Sequence, residues 1–340
     1  MIQFFRKRWF LFTLLLVLAI GVVFAEPLKR LPEAEFPLLP AGRDGEPAIS
    51  MRLRSLIVAV VLFLMALPLE ASAMWRSLRR PWPPLLAVAV NFGLLPLFAW
   101  GVSQGLEPDL AAGLLVAATT PCTLASASVW TRRAGGNDAV SILVTIITNL
   151  ICFVVTPLWL LLMTGQSVSS PELSLGWMTT KLGLLVLLPM FLAQLLRLSR
   201  PLANWASGQK TALSVLAQCG ILSMVFLGAI HVGLRLHDPS SGALGLWEVI
   251  AMLVAVCVVH VTMLWTGVGI ARLLRFSWED QVAVAFAGSQ KTLTVGLLVA
   301  MALQVSILPM VWYHVSQLFI DTLIADRFRR QREEAARPPA

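Results

Sequence analysis

Two short polar clusters interrupt long apolar stretches of this sequence. The first is Thr119-Thr-Pro-Cys-Thr123 and the second is Gly288-Ser-Gln-Lys-Thr292. Each places hydroxyl or amide side chains beside a residue that weakens a helix, Pro121 in the first and Gly288 in the second. A helix broken there exposes backbone groups that can hold ions and anionic groups. The pair predicts a binding site, and the structural alternative is a kink at Pro121 and close packing at Gly288.

Lys291 carries the strongest chemical signal, because its charge lies near the middle of an apolar segment that runs from Gln281 to Ala302. At a rise of 1.5 Å per residue, its Cα would lie about 15 Å from either membrane interface. A lysine stem of about 6 Å is too short to bring the ammonium group to water. The side chain must therefore face a polar cavity, find hydrogen-bond partners or lose its proton.

The elements that must position these clusters are membrane helices. Of the 340 residues, 58% are hydrophobic and 13% are charged, whereas ordinary globular chains contain about 45–50% apolar residues. This composition excludes a soluble enzyme, a coiled coil, a disordered chain and a disulfide scaffold. Apolar runs of bilayer length predict an all-α polytopic membrane protein with ten transmembrane helices. These are Trp9–Ala25, Ser55–Leu69, Leu85–Val102, Leu110–Val129, Ala139–Met163, Leu175–Leu196, Leu213–Val232, Leu246–Leu273, Gln281–Ala302 and Ile307–Ile324.

The distribution of Lys and Arg predicts the orientation of these helices. With a cytoplasmic N-terminus, the inner segments carry 18 of the 26 basic residues and the outer segments carry six. Because basic residues accumulate on the cytoplasmic side, both termini are expected in the cytoplasm, at an inner or plasma membrane. Residues 26–50 are expected to form an external loop and residues 327–340 a basic tail. A cleaved signal peptide over residues 1–25 is the alternative to a first transmembrane helix.

Ten helices divide into two sets of five, and an odd number per set makes the second set insert upside down. We therefore predict a first repeat over residues 51–163, together with helix one, and an inverted second repeat over residues 164–326. The two polar clusters interrupt the fourth helix of each repeat, which are helices four and nine. A broken helix at bilayer depth is tolerated only where it lines a cavity or is buried in protein.

Four motifs together resemble one family of membrane proteins. They are Asn91-Phe-Gly-Leu-Leu-Pro96, Thr120-Pro-Cys-Thr-Leu-Ala-Ser-Ala-Ser128, Ala134-Gly-Gly-Asn-Asp-Ala139 and Gly288-Ser-Gln-Lys-Thr-Leu-Thr-Val-Gly296. The chain resembles, over nearly its whole length, the bile acid:sodium symporter superfamily, in particular bacterial SBF-like proteins and solute carrier family 10 member seven. The resemblance implies a panel domain and a core domain, helices four and nine that cross at their breaks, and alternating access to a substrate beside the crossing.

In the sodium-coupled members of that superfamily, two Na⁺ sites flank the crossing. The resemblance places Ser141 and Thr145 at hydroxyl ligands on helix five, and Ser128 where an Asn ligand is usual. It places Asn91 where a Gln is usual on helix three, and Gln290 at a retained Gln on helix nine.

The sequence departs from this ligand set at two positions on helix nine. The shared acidic ligand, four residues before Gln290, is Phe286 here, and Lys291 takes the place of a polar Asn. Sodium needs several oxygen ligands with negative charge nearby, much as other hard cations do. The departures therefore argue against two ordinary Na⁺ sites.

Three roles for Lys291 stay open. Its ammonium group could replace Na⁺, held by Gln290, Ser128, Ser141, Thr145 and carbonyls of the broken helices. It could instead carry a proton during transport, or it could pair with an anionic substrate. The structural alternative is that Lys291 only locks the crossing. The coupling ion is therefore Na⁺, H⁺ or none, and no other cofactor is expected.

The predicted binding residues lie on helices three, four, five and nine. The substrate- and ion-binding set is Asn91, Pro121, Thr123, Ser126, Ser128, Asn137, Ser141, Thr145, Ser289, Gln290, Lys291 and Thr292, of which Ser128, Ser141, Thr145 and Gln290 are the implied Na⁺ ligands. Asn137 is expected to cap helix five or to act as a ligand.

Other polar residues within the spans give weaker signals. His260 and His314 are expected to be hydrogen-bonded core residues, with proton relay as the alternative. Asp321 is expected to meet headgroup water or an arginine of the tail. The four cysteines lie in apolar stretches without paired spacings, so we expect them to be buried.

The preferred function is secondary active transport of small organic anions, for which the resemblance implies bile acids, sulfated steroids or carboxylates. The alternatives are a non-transporting membrane sensor or regulator on the same fold, and a hydrolase built on Lys291 with Ser126 or Ser128. No hydrolase motif supports the latter, so no enzyme is expected. The expected partners are the lipid bilayer and the anion, without nucleic acid, and the oligomeric state stays open.

Overall fold

The computed structural model describes residues 9–39, 49–69, 81–124, 126–164, 175–237 and 245–335. This part of the chain is mostly helical, as predicted. The helices are α1 (Trp9–Val23), α2 (Ala25–Leu28), α3 (Leu53–Ala66), α4 (Trp82–Ala89), α5 (Leu95–Ser103), α6 (Pro108–Thr119), α7 (Ser126–Arg133), α8 (Asp138–Thr164), α9 (Leu175–Leu182), α10 (Leu188–Leu196), α11 (Arg200–Gly208), α12 (Lys210–His237), α13 (Leu246–Leu273), α14 (Trp278–Ser289), α15 (Leu293–Ala302) and α16 (Leu308–Ala335). Two π turns, Val90–Leu94 and Gly183–Leu187, join α4 to α5 and α9 to α10. Predictions that concern residues 1–8, 40–48, 70–80, 165–174, 238–244 and 336–340 lie outside the described residues.

Six helical segments in the described ranges are long and apolar enough to cross a membrane. They are Trp82–Ser103, Asp138–Met163, Met178–Leu196, Lys210–Leu234, Leu246–Leu273 and Trp278–Leu303. Three further apolar helices are shorter, and they coincide with the first, second and fourth predicted spans: Phe12–Val23, Leu53–Ala66 and Pro108–Thr119. The tenth predicted span lies within α16, whose last turns are charged. These helices support a multi-pass membrane protein.

The segment expected to be an external loop contains a strand, which pairs with a second strand that begins at its end. Strands β1 (Glu35–Leu39) and β2 (Ile49–Arg52) pair antiparallel, with Glu35 opposite Arg52. The all-α prediction is therefore wrong for this hairpin. Pro37 disfavours a helix here, and the ladder shifts its register between Pro37 and Leu39, where a residue without an N–H group is tolerated.

The chain divides into two compact units. The first comprises Met1–Pro68, Leu184–Gly245 and Leu297–Ile307. In this unit α1 and α3 both pack against α12, and glycines bring the backbones together. A Cβ atom on Gly21 would lie 2.6 Å from Ala229 Cβ, and one on Gly220 would lie 2.3 Å from Val61. Small residues allow such close packing in membranes, where apolar surface alone gives little driving force.

The second unit comprises Leu69–Gly183, Leu246–Gly296 and Leu308–Ala340. Its centre is α14, which packs against α4, α7, α8 and α13 and is buried on all sides along its apolar length. Small residues make this possible, among them Ala283, Ala287 and Gly288. A Cβ atom on Gly288 would lie 3.1 Å from Val90, so the second polar cluster lies deep in this unit.

We predict that Gly21→Leu lowers the stability of the protein by about 2 kcal/mol, because overpacking of a close contact forces the helices apart. A side chain at Gly21 meets Ala229 and the carbonyl oxygen of Phe226, 3.0 Å from the added Cβ. Thermal unfolding of the purified protein in detergent measures the change. Gly101→Leu is the control, because nothing lies within 4 Å of a Cβ there. An unchanged melting temperature for Gly21→Leu would favour the cleaved signal peptide.

Candidate functional site

Both predicted helix breaks are present, and they contact each other inside the second unit. Helix α6 ends at Thr119 and α7 begins at Ser126, while α14 ends at Ser289 and α15 begins at Leu293. The backbone N–H of Thr292 donates to the Pro121 carbonyl oxygen at 2.9 Å. Thr120, the residue before the proline, is extended with φ −74° and ψ 159°, because proline disfavours helical geometry in its predecessor.

Lys291 is completely buried where the two breaks meet. Its Nζ atom donates to the Asn91 carbonyl oxygen at 2.7 Å, to Asn91 Oδ1 at 3.0 Å and to the Thr120 carbonyl oxygen at 2.8 Å. The Phe92 ring centroid lies 5.3 Å from the same atom, within range of a cation–π contact. Three oxygen acceptors match the three N–H donors of an ammonium group. The arrangement is therefore a complete cage for a charged lysine.

The Asn91 carbonyl can serve Lys291 because it lies in a π turn. The N–H of Leu95, which an α-helix would direct to Asn91, donates to the Val90 carbonyl instead. The following residue is Pro96, which has no N–H to offer. Both usual helical donors to the Asn91 carbonyl are thereby lost, and Lys291 supplies the missing hydrogen bond. Such π turns are frequent at functional sites.

The side chain of Asn91 also closes the second break. Its Nδ2 atom faces three backbone carbonyl oxygens, those of Ala287 at 3.1 Å, Gly288 at 3.3 Å and Gln290 at 3.0 Å. These carbonyls lose their helical partners where α14 ends. Asn91 thus accepts from Lys291 and donates to the backbone around it.

Side chains of α16 form hydrogen bonds with further backbone groups at the second break. The Tyr313 hydroxyl donates to the Ser289 carbonyl oxygen at 2.9 Å. Gln317 makes a paired contact with Lys291: its Oε1 accepts from the lysine backbone N–H at 2.9 Å, and its Nε2 donates to the lysine carbonyl at 3.0 Å. Buried backbone groups in a membrane need such partners, and here side chains of α16 take the place of the missing helical partners.

Asp321 belongs to the site, and the expectation that it meets headgroup water or an arginine is wrong. It is fully buried, accepts from Gln290 Nε2 at 2.5 Å and lies 2.9 Å from His260 Nε2. Tyr313, Gln317 and Asp321 recur every four residues along α16, which puts them on one face of the helix. This spacing of polar residues in the sequence is a signal that Asp321 faces the same interior site as Tyr313 and Gln317.

Gln290 connects this carboxylate to the first break. Its Oε1 atom accepts from the hydroxyls of Thr123 at 3.0 Å and Ser126 at 2.8 Å. The two hydroxyl oxygens are 2.6 Å apart. Thr123 is buried and Ser126 is half-buried, so Ser126 is the more accessible end of a hydrogen-bonded chain that leads to Asp321.

Two of the residues expected to bind Na⁺ are hydrogen-bonded to other protein groups. Ser141 is hydrogen-bonded to Thr131 at 2.7 Å, and the Thr145 hydroxyl donates to the Thr123 carbonyl oxygen at 3.0 Å. Ser128 lies half-buried on α7.

Phe286, at the position of the expected acidic ligand, lies in an apolar cluster with Leu264, Val268 and Phe328. A carboxylate there would be surrounded by hydrocarbon, and the Lys291 ammonium group already occupies the oxygens at the break. The residues present therefore do not fit an ordinary Na⁺ site.

Asn137 lies apart from the crossing. It directly precedes α8, and its Nδ2 donates to Asp280 at 2.8 Å. His260 and His314 are hydrogen-bonded core residues, as expected: His260 lies against Asp321 and His314 against Gln317. Cys122 and Cys152 are buried, but Cys257 is partly exposed and Cys219 exposed. The prediction of four buried cysteines is wrong for these two, because a membrane helix presents apolar residues to lipid as well as to its core.

Comparisons with known proteins identify the family of this chain. A model of the SBF-like CPA transporter family matches residues 8–330. An uncharacterised protein of Pseudomonas aeruginosa is 28% identical over 294 residues, which are 82% of this chain and 85% of the relative. The putative symporter YfeH of Escherichia coli is 29% identical over 265 residues, or 74% of this chain and 76% of the relative. Sodium/bile acid cotransporter 7 of Xenopus tropicalis is 23% identical over 332 residues, or 94% and 91% of the two chains. Because the family model spans nearly the whole sequence, this chain belongs to the SBF-like CPA transporter family, which is a family of transporters and not of enzymes.

Proposed function

We propose that this protein is a secondary active transporter of small organic anions in which the Lys291 ammonium group permanently replaces a coupling Na⁺. The observation that carries the proposal is the cage around Lys291, with three oxygens within 3.0 Å of Nζ. A metal ion at the breaks would need these same carbonyl and amide oxygens. In this protein the cation at these oxygens is the ammonium group of Lys291, which is covalently part of the chain.

The balance of charge supports this role. Lys291 and Asp321 are both fully buried in the second unit, and Gln290 links the two sites through its backbone and side chain. With Lys291 protonated, Asp321 ionised and His260 neutral, the crossing carries one formal positive and one formal negative charge before any ion binds. An added Na⁺ would leave an uncompensated charge in a medium where that is costly.

The same contacts argue against a salt bridge between Lys291 and the transported anion. All three N–H donors of the ammonium group are directed at protein oxygens, and the side chain has no exposed surface. An anion would have to displace charge-assisted hydrogen bonds to reach it. We therefore assign Lys291 the role of the built-in cation and expect the anion to bind beside it, nearer to the more accessible Ser126.

We propose ten transmembrane helices in two inverted repeats, with the repeat boundaries and alternating access predicted above. The matched breaks in helices four and nine support this architecture.

Both termini are proposed to be cytoplasmic. In support, Arg332 of the C-terminal helix contacts Glu279 at 3.0 Å and the Gly135 carbonyl oxygen, which brings three arginine-rich segments predicted to be inner to one end of the second unit. Bile acids, sulfated steroids and small carboxylates are the proposed substrate classes, of which bile acids appear in the name of the Xenopus relative.

Transport by the purified protein in liposomes is expected to be independent of Na⁺, because the Lys291 ammonium group holds the position proposed for the coupling cation. Labelled taurocholate, estrone sulfate and pyruvate serve as probes for the three anion classes, with uptake and counterflow compared in sodium and potassium buffers. We expect at least one probe to be taken up unaltered at equal rates in both. A tenfold stimulation by Na⁺ would overturn the built-in cation, while binding without counterflow would favour the sensor.

Removal of the ammonium group is expected to create a response to Na⁺ that the natural protein lacks. Lys291→Ala leaves three oxygens facing an empty space, and it should cost about 3 kcal/mol of stability. Sodium chloride should then raise the melting temperature of Lys291→Ala more than choline chloride does, because a ligand that binds the folded state stabilises it. Methylammonium should act in the same way.

Lys291→Met is the matched control, because its side chain fills the space without a charge. It should be destabilised but should not respond to Na⁺ or to methylammonium. Equal salt responses in Lys291→Ala, Lys291→Met and the natural protein would contradict the role of these oxygens as a cation cage.

The charge balance predicts coupling between Lys291 and Asp321. Lys291→Met and Asp321→Asn should each be destabilising, because each leaves the other charge uncompensated. The double variant should lose at least about 1 kcal/mol less than the sum of the two changes. Denaturant or thermal unfolding in detergent measures the three stabilities. Asp326→Asn with Lys291→Met is the control pair, because Asp326 pairs with Arg133 instead, and strictly additive effects for both pairs would contradict the balance.

A further inference from the structure

The last turns of α16 carry a row of arginines that continues a lipid-facing stripe. Phe319 and Leu323 are large apolar residues with 51% and 59% of their surface exposed. Residues four apart on a helix share a face, so Phe319, Leu323 and Arg327 follow one another along the same side. In a membrane transporter an exposed apolar stripe faces lipid tails. Arg327 lies about 6 Å further along the axis than Leu323, toward the charged end of α16.

A cavity of about 340 Å³ opens at this point, and it is lined by Arg327, Arg330, Gln331 and Glu334. Within the described residues, neither Arg327 nor Arg330 has a carboxylate within 4.0 Å. The neighbouring arginines of the same helix differ, since Arg329 pairs with Glu333 at 3.6 Å and Arg332 pairs with Glu279. Both guanidinium groups line this cavity, and Arg330 also interacts electrostatically with the more distant Asp326.

We propose that this cavity binds the headgroup of an anionic phospholipid. Arg327 and Arg330 suit the phosphate diester, because guanidinium groups offer paired N–H donors to its oxygens. Glu334 and Gln331 suit a headgroup with hydroxyl groups, which can donate to their oxygens. A glycerol headgroup, as in phosphatidylglycerol, satisfies both requirements. The source is lipid and not free phosphate, because the cavity continues the apolar stripe on which the acyl chains would lie.

One rigid element connects this cavity to the candidate site. The helix that carries Arg327 and Arg330 also carries Gln317 and Asp321, which hold the second break. A bound headgroup orders the end of α16 and is expected to stabilise the second unit. The proposal does not depend on the transported substrate, so it can fail while the proposed function stands, and the reverse also holds.

The test compares the melting temperature of the full-length protein in detergent micelles that contain added phosphatidylglycerol or phosphatidylcholine. We expect phosphatidylglycerol to raise it by about 3 °C or more beyond phosphatidylcholine, as expected for a ligand that binds the folded state. The double variant Arg327→Ala with Arg330→Ala should lose this difference. Arg329→Ala is the matched control, because it removes a charge from the same turn outside the cavity, and it should keep the difference.

Three results would overturn the proposal. The first is an equal response of the double variant and Arg329→Ala, which would indicate general charge attraction. The second is an equal stabilisation by inorganic phosphate at the same concentration, which would indicate a free-anion site. The third is no difference between the two lipids in the natural protein. Because each readout is a difference within one variant, a lower starting stability does not obscure it.

Discussion

The structure of the second unit depends on the need to satisfy one ammonium group in a region without water. An isolated charge at this depth costs several kcal/mol, so each hydrogen of Lys291 must find an oxygen. Those oxygens come from two different elements. One is Asn91, whose carbonyl is released by the π turn and by Pro96, and the other is Thr120, whose carbonyl is released by the first helix break. A straight α4–α5 helix or an unbroken α6 would withdraw these oxygens into its own hydrogen bonds.

At the second break, the buried groups that need hydrogen-bond partners are backbone carbonyls. Where α14 ends, carbonyl groups that would otherwise bind water or a metal ion receive hydrogen bonds from Asn91, Tyr313 and Gln317. In this structure they are satisfied by side chains of the protein. Under the proposed function, the two helices are therefore held at the crossing without a bound ion.

The sequence predicts the breaks and the depth of the lysine but not the partners of the lysine. Pro121 and Gly288 are local signals, and the position of Lys291 in an apolar run is a matter of counting. The double role of Asn91 requires the register between α4 and α14, which only tertiary packing determines. The hydrophobic pattern predicts that Asp321 lies at the interface, because the residue is near the end of an apolar run. However, α16 continues to Ala335, and the carboxylate lies deeper in the protein than the pattern suggests.

Helix α16 contacts the rest of the second unit both at the crossing and at its charged end. Its first half supplies Gln317 and Asp321 to the second break. Its charged half contacts the end of α7 through the bidentate contact of Arg133 with Asp326, and the following segment through the contact of Arg332 with Gly135. It contacts the start of α14 through Arg332 and Glu279. Gly135 has φ +78°, and a Cβ atom there would meet the Arg332 side chain. Both broken helices are thus anchored at the crossing and again at their charged ends by one continuous helix. Under the proposed mechanism, a conformational change that separated the breaks would expose Lys291 and Asp321 together, so the unit is expected to move as a whole.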